Sequence, residues 1–277
     1  MPSVGRIIEN NFTSITDEYK AFVEAKDKCR ACSVYSHYGQ VLQSEGNAKN
    51  PVFMFIGEAP GRDEVSQVRP FVGRAGQRLR EELRKHGDIF NPQTTLISNV
   101  IACRPLDNKF PSDRNDEFRL YEDGEWTKVK AKQMVAFCFE HWVCKEIEMV
   151  KPKIIITLGG QALKWIRNSS IGVTSARGSL EYSQRFNAWV FSTFHPSYVI
   201  RCEKMSNVEV VKLFEHDIKY LAKEWQSITA KSAPSNGGFL KESNGNGEVV
   251  ETATSWDPIP ILDKFFGIET EKESKDD

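Results

Sequence analysis

Three short stretches of this chain carry residue types that can do chemistry. The first is Phe55-Ile56-Gly57-Glu58-Ala59-Pro60-Gly61, with Arg69-Pro70-Phe71-Val72-Gly73-Arg74-Ala75-Gly76 close behind. An apolar run that breaks at a Gly/Pro loop and restarts as a helix turns backbone N–H groups toward an anion or a polar ligand. In open α/β sheets such a loop lies at the carboxyl edge of the strands, where ligands bind. The second is Asn99, in Ser98-Asn99-Val100. An amide among apolar residues is costly unless paired, so backbone or a ligand must satisfy it, and it offers both a donor and an acceptor. The third is Thr193-Phe194-His195-Pro196-Ser197. Here His195 follows a strand, Pro196 stiffens the turn, and Ser197 offers a hydroxyl or backbone donor to a phosphate. Taken singly, each has a structural alternative. His195 can be satisfied by backbone, and Phe71 can be core as readily as a platform for a flat base.

The cysteines suggest a metal centre. Cys29-Arg30-Ala31-Cys32 brings two sulfurs to one side of a short turn. Cys103, Cys138, Cys144 and Cys202 can supply further ligands, or all six can be buried free thiols. Zinc and iron–sulfur clusters both accept four thiolates, and spacing does not separate them. Met1–Asn10 lacks the apolar stretch of an export signal. An intracellular, reducing location is therefore expected, and there metal binding is favoured over disulfides.

Four strands must position these groups: Val52–Ile56, Thr95–Ala102, Lys153–Leu158 and Trp189–Phe194. Helical patterns separate them at Gly76–Lys85, Val135–Val150, Gln161–Ile166 and Val208–Trp225, and another covers residues 14 to 28. Strands alternating with helices predict an α/β fold with parallel pairing and helices on both faces. Near-continuous apolar strands such as Ile154-Ile155-Ile156 suit a sheet buried on both sides. Residues 105–131 read as an insertion, with a hairpin between Phe118–Tyr121 and Trp126–Val129. One domain is expected over 1–225, a disordered linker over 226–254 and an acidic tail over 255–277.

Residues 226–277 hold five lysines against ten acids, a balance of −5, which leaves the first 225 residues at +4 within a net charge of −1. A mildly basic body is compatible with DNA binding. No apolar run approaches the roughly 20 residues of a spanning helix, so no membrane role is expected.

Together the motifs resemble the iron–sulfur (type-4) uracil-DNA glycosylases over roughly residues 25 to 220. Gly57–Gly61, Pro70–Gly76, Asn99-Val100 with Cys103-Arg104-Pro105, Leu158-Gly159 and His195–Tyr198 occur in that family's order. The resemblance implies a three-layer α/β/α sandwich on a central four-stranded parallel sheet, and excision of uracil from DNA in base-excision repair. It implies a 4Fe-4S cluster on Cys29, Cys32, Cys103 and Cys138, with Cys144 as the alternative fourth ligand and zinc as the alternative metal.

It also implies that a flipped uracil stacks on Phe71, pairs with Asn99 and receives a hydrogen bond at O2 from His195. Gly57, Ala59 and Gly61 would shape the pocket, with Gly61 and Ser197 pinning flanking phosphates and Arg201 entering the helix near the vacated base. Ala59 stands where type-1 enzymes carry an acid. Glu58 then either helps to hold the attacking water or fixes the Gly57–Gly61 loop. A related branch traps abasic DNA through a histidine-bearing loop; Arg104–Asn115 has no histidine, so turnover is expected. The rival reading is a non-catalytic DNA-binding module of this fold in a replication or repair assembly; the presence of His195, Asn99 and Phe71 counts against it.

In the tail, Leu262, Phe265 and Phe266 have the spacing of peptides that plug into sliding clamps, although Ile259 replaces the usual leading Gln. Docking of this peptide on its own domain is the alternative.

Overall fold

A computed structural model describes residues 4–111, 117–122 and 124–231. In chain order these form α1 (Val4–Asn11), β1 (Phe12–Ser14), α2 (Asp17–Asp27), α3 (Tyr35–Tyr38), β2 (Glu45–Asn47), β3 (Phe53–Gly57), α4 (Arg62–Gln67), α5 (Arg74–Arg84) and β4 (Thr95–Asn99). A hairpin of β5 (Phe118–Glu122) and β6 (Glu125–Val129) follows. Next come α6 (Ala131–Cys138), a π-helical stretch (Phe139–Cys144), α7 (Lys145–Val150), β7 (Ile154–Leu158) and α8 (Gly159–Arg167). The last elements are α9 (Val173–Ala176), β8 (Leu180–Ser183), β9 (Ala188–Thr193), α10 (Pro196–Lys204) and α11 (Val208–Ala230).

The sheet order is β1-β2-β4-β3-β7-β9-β8. Its centre, β4-β3-β7-β9, is parallel throughout, as expected. Around that centre the sheet is wider than the four strands read from the sequence. The short β2 pairs antiparallel with β4, and β8 runs antiparallel to β9.

Strand alternation sorts the core into two layers. Phe53 and Phe55 of β3 face one side with Ile97, Ile154, Ile156 and Phe191, and pack against Leu79 and Leu83 of α5 and Phe214 and Ile218 of α11. Met54 and Ile56 face the other side with Leu96, Ile155 and Val190, against Val23 of α2 and Ile147 of α7. A sheet buried on both faces must be apolar at successive positions, which is why its strands read as continuous rather than alternating runs.

Helix ends follow local chemistry. The Thr16 side chain caps α2 by accepting from the Tyr19 N–H at 3.2 Å, and Asn207 caps α11 through the Val210 N–H at 3.4 Å. Helix α11 runs to Ala230, so the boundary placed at 225/226 falls inside a helix whose Ile228 is still buried. The remaining linker and the tail, with Leu262, Phe265 and Phe266, lie outside the described residues.

Candidate active site

The parallel strands end on one edge and deliver four of the singled-out positions to it. Gly57 closes β3 directly opposite Asn99, which closes β4. Leu158 of β7 pairs with Thr193 of β9, so Gly159 and His195 leave the sheet side by side. A Cβ added to Gly57 would lie 2.4 Å from Phe71 Cζ and 2.6 Å from Asn99 Oδ1; one on Gly159 would lie 2.7 Å from His195 Cβ. Both positions therefore require glycine for close approach. The Phe71 and His195 ring centroids stand 6.3 Å apart, tilted by 37°. Phe71 and Asn99 are buried, at 5% and 8% exposure, so neither behaves as an ordinary surface residue. The loop after β3 is tied to the exit of β4 by Val100 N–H to the Gly57 carbonyl (3.0 Å) and Ile101 N–H to the Glu58 carbonyl (3.4 Å). Glu58 is half-buried, and Ala59 packs on the core.

His195 caps α10. Its Nδ1 accepts the Ser197 N–H at 3.1 Å, and the Ser197 hydroxyl lies 2.7 Å from the same nitrogen. An amide N–H can only donate, so Nδ1 is the acceptor and the ring's proton sits on Nε2. Burial, and then the nearby Arg201 charge, push the imidazole down to about 4, so the ring is neutral near pH 7. The Ser197 donors hold His195, and Ser197 also lines the cationic cavity beside it.

Gly61 lines the same cavity. Its N–H donates to Glu64 Oε2 at 3.2 Å, while Glu64 Oε1 accepts from Val72 N–H (3.1 Å) and Gly73 N–H (2.8 Å). One carboxylate thus joins the Gly57–Gly61 loop to the Phe71 loop. Sequence reasoning passed over Glu64, although a Glu three residues after a helix-starting glycine can reach back to the cap N–H, which is the one half of a capping box that Gly61, with no side chain, can take part in. Arg80 was missed as well. Its Nε donates to the Phe71 carbonyl at 3.1 Å, and its Nη2 to the Pro70 carbonyl and Glu45 Oε1, each at 3.1 Å.

Beside these residues lies a cavity of about 470 Å³ whose lining includes Arg62, Arg74, Arg104, Arg201 and Lys204. Arg104 stacks on Tyr38 with its guanidinium 4.0 Å from the ring centroid, and donates to Asn108 Oδ1 at 2.6 Å. Arg201 lies 5.7 Å from the Tyr198 ring. Five cations against Asp63 and Glu64 give the groove a positive field suited to a phosphate backbone.

The cysteines divide. The Cys103 thiol is pushed up by burial and then by Cys32, Cys138 and Cys29, and Cys138 by burial and then Cys32, so these four lie within electrostatic reach of one another. Cys32 is raised to about 11, again by burial and then by Cys29. Cys144 points elsewhere, accepting from Arg185 at 3.2 Å beside Glu140. The Cys29–Cys32 turn is also a strand partner of the hairpin: Cys32 bridges Leu120, Ser33 N–H donates to the Arg119 carbonyl (3.0 Å), and Tyr121 N–H to the Ala31 carbonyl (2.9 Å). Among the described residues no three His, Cys, Asp or Glu side chains are drawn together tightly enough for a single metal ion.

A mostly parallel sheet, with Gly57, Phe71, Asn99 and His195 gathered at its carboxyl edge and a cationic groove beside them, has the layout of an α/β protein that acts on nucleic acid. Residues 43–219 match the family described as the uracil DNA glycosylase superfamily, and the chain belongs to that family. It is similar to the type-4 uracil-DNA glycosylase of Thermotoga maritima, with 32% identity over 179 residues, 64% of this chain and 81% of that protein. The protein of that name from Sulfurisphaera tokodaii is 29% identical over 73% of this chain and 83% of its own length. The one from Saccharolobus solfataricus is 26% identical over 86% and 96%. No described helix is long and apolar enough to cross a membrane.

Proposed function

We propose that this chain is a monofunctional uracil-DNA glycosylase that hydrolyses the bond between uracil N1 and the deoxyribose C1′, the opening step of base-excision repair. The observation that carries the reading is the convergence of Gly57, Phe71, Asn99 and His195 on one strand edge, with the glycine leaving no room for a side chain beside Phe71 and Asn99. The family membership and the names of the relatives support it.

A base inside the duplex is shielded, so the nucleotide must first leave the stack. The cations of the groove hold the backbone on either side, and Arg201 fills the vacated position. The flipped base stacks on Phe71, and Asn99 pairs with its polar edge. As the C1′–N1 bond breaks, its electron pair passes to uracil and spreads to O2. His195, neutral and with its proton on Nε2, donates to that oxygen. A preorganised donor aimed at developing negative charge is worth about 3–4 kcal/mol. Water adds its oxygen to C1′ and releases a proton to solvent. With a methyl group at Ala59, no strong base stands at that position, so electrostatic stabilisation of the departing anion supplies most of the rate.

Cys29, Cys32, Cys103 and Cys138 would hold a 4Fe-4S cluster. Four thiols within electrostatic reach of one another offer the all-thiolate set that such a cluster takes, with zinc as the alternative. Bound there, the cluster would supply a structural tie between the Cys29–Cys32 turn, the exit of β4 and α6. The tail peptide with Leu262, Phe265 and Phe266 is proposed to dock on a sliding clamp, its linker raising the local concentration of DNA.

The deciding assay is incubation with an oligonucleotide carrying a single uracil, followed by alkaline cleavage. Strand scission at the uracil is expected. An intact strand beside an active control enzyme overturns the proposal and leaves a non-catalytic DNA-binding module.

A further inference from the structure

Phe71 has a backbone conformation that a bulky residue does not choose for itself. Its φ is +54°, in the left-handed region where an L side chain crowds its own backbone. Such a conformation persists only where the surroundings over-determine it. The surroundings here are two charged side chains, neither of them in the pocket. On the C-terminal side, Glu64 Oε1 takes the Val72 and Gly73 N–H groups at 3.1 and 2.8 Å. On the N-terminal side, Arg80 donates to the Pro70 and Phe71 carbonyls, each at 3.1 Å, and is itself held by Glu45 Oε1, which also pairs with Arg69 at 2.9 Å. The Phe71 carbonyl is pressed against Gly76, where an added Cβ would come within 1.9 Å. The second oxygen of Glu64 reaches across to Gly61 N–H at 3.2 Å, so the two walls of the pocket share one anchor.

We propose that Glu64 and Arg80 are positioning residues that lock Phe71 as the stacking platform, and that Glu64 sets the spacing between the platform and the Gly57–Gly61 wall. This deepens the glycosylase reading and rests on it. Neither side chain need touch the base. Without Glu64, the Val72 and Gly73 amides lose a shared acceptor and Phe71 relaxes toward negative φ. Its ring then swings away from Gly57, and a flipped base finds no flat partner. Gln in place of Glu64 keeps one oxygen for Val72 and Gly73 but puts an NH2 opposite the Gly61 N–H, which frees one wall while holding the other.

The test uses the full chain in wild-type, Glu64→Ala, Glu64→Gln and Arg80→Ala forms, with two readouts. Hydrogen exchange followed by mass spectrometry should show faster exchange over residues 70–73 in Glu64→Ala, with strands 53–57 and 154–158 as protected as in wild type. Single-turnover excision at saturating uracil DNA should fall roughly 10- to 100-fold in Glu64→Ala, the range set by loss of base–aromatic stacking. Affinity for uracil-free duplex should not fall in Glu64→Ala, which removes a negative charge from the groove. Glu64→Gln should recover most of the rate, and Arg80→Ala should fall between Gln and Ala. Unchanged exchange at 70–73 in Glu64→Ala overturns the lock, as does an unchanged excision rate. Faster exchange at 70–73 in a chain whose wild type leaves uracil DNA intact keeps the lock and refutes the glycosylase reading instead.

Discussion

Gly159→Ala isolates the placement of His195 from its chemistry. Gly159 has φ +86°, and an added Cβ would sit 2.7 Å from His195 Cβ, closer than carbon atoms approach without one of them moving. Holding an alanine in that backbone region costs about 1–2 kcal/mol. The clash falls on the stem of the imidazole, so the ring is displaced even though both its nitrogens remain. If His195 supplies the donor to the leaving base, misplacing it removes most of about 3–4 kcal/mol, a fall of roughly 100- to 1000-fold in the chemical step. Gly160 is the matched control. It follows in the same helix, and nothing lies within 4 Å of a Cβ added to it, so Gly160→Ala should keep the wild-type rate and be as stable or slightly more so. The assay is single-turnover excision with enzyme in excess, paired with thermal unfolding. Gly159→Ala should unfold a few degrees lower while losing at least a hundredfold in rate. A rate within threefold of wild type, in a variant that melts near wild type, refutes the role given to His195.

The pH dependence follows from the same ring. With His195 depressed to about 4 from an ordinary 6.5, the excision rate should be flat from pH 5.5 to 8 and fall only as pH drops through about 4, when a proton on Nδ1 would meet the Ser197 N–H; an inflection near 6.5 contradicts this. Stability has a different window: the unfolded chain takes up the proton first, so stability falls as pH drops from 6.5 toward 4, and His141, also pushed down to about 4 by burial and then by Lys145, adds to that slope in urea titrations. Cys138→Ser should lower the iron content of anaerobically purified protein, whereas Cys144→Ser, whose thiol faces Arg185 and Glu140 instead of the other cysteines, should leave it unchanged. Arg104→Ala should weaken binding to all DNA sequences alike and reduce the slope of log affinity against log salt by about 1. Glu146→Ala strands the buried Lys26, now 3.6 Å from Glu146, and should cost about 3–5 kcal/mol in denaturant titrations.

The central strands and most helices were legible because burial on both faces leaves a run of apolar residues that nothing else in a chain of this composition produces. Gly57, Asn99 and His195 were legible for a different reason: each is a polar or glycine position at the end of an apolar strand, whereas Phe71, in the loop before α5, stood out only through the motif around it. The short strand Glu45–Asn47, between β1 and β4, left no such mark. It has three residues, one of them a glycine, and its pairing comes from β4 rather than from its own pattern. Glu64 and Arg80 were invisible for a related reason. They act on backbone groups eight to ten residues away, and any sequence supplies backbone groups. The choice between Cys138 and Cys144 was blurred by the π-helical stretch Phe139–Cys144, whose wider turn breaks the helical count between them.

The hairpin in the 105–131 insertion has a consequence for how the protein opens. Its β5 strand carries the hydrogen bonds of the Cys29–Cys32 turn through Ser33, Ala31 and Leu120, and Arg119 N–H also donates to Ser33 Oγ at 3.1 Å. Phe118 and Leu120 of that strand are buried in the same core as Cys32 and Cys103. The turn and the hairpin therefore form one cooperative unit, and neither can fray while the other stays closed. Shortening the insertion to a plain loop would expose the backbone of the Cys29–Cys32 turn to water, so a segment that looks dispensable sets how long the corner that holds Cys29, Cys32, Cys103 and Cys138 stays closed.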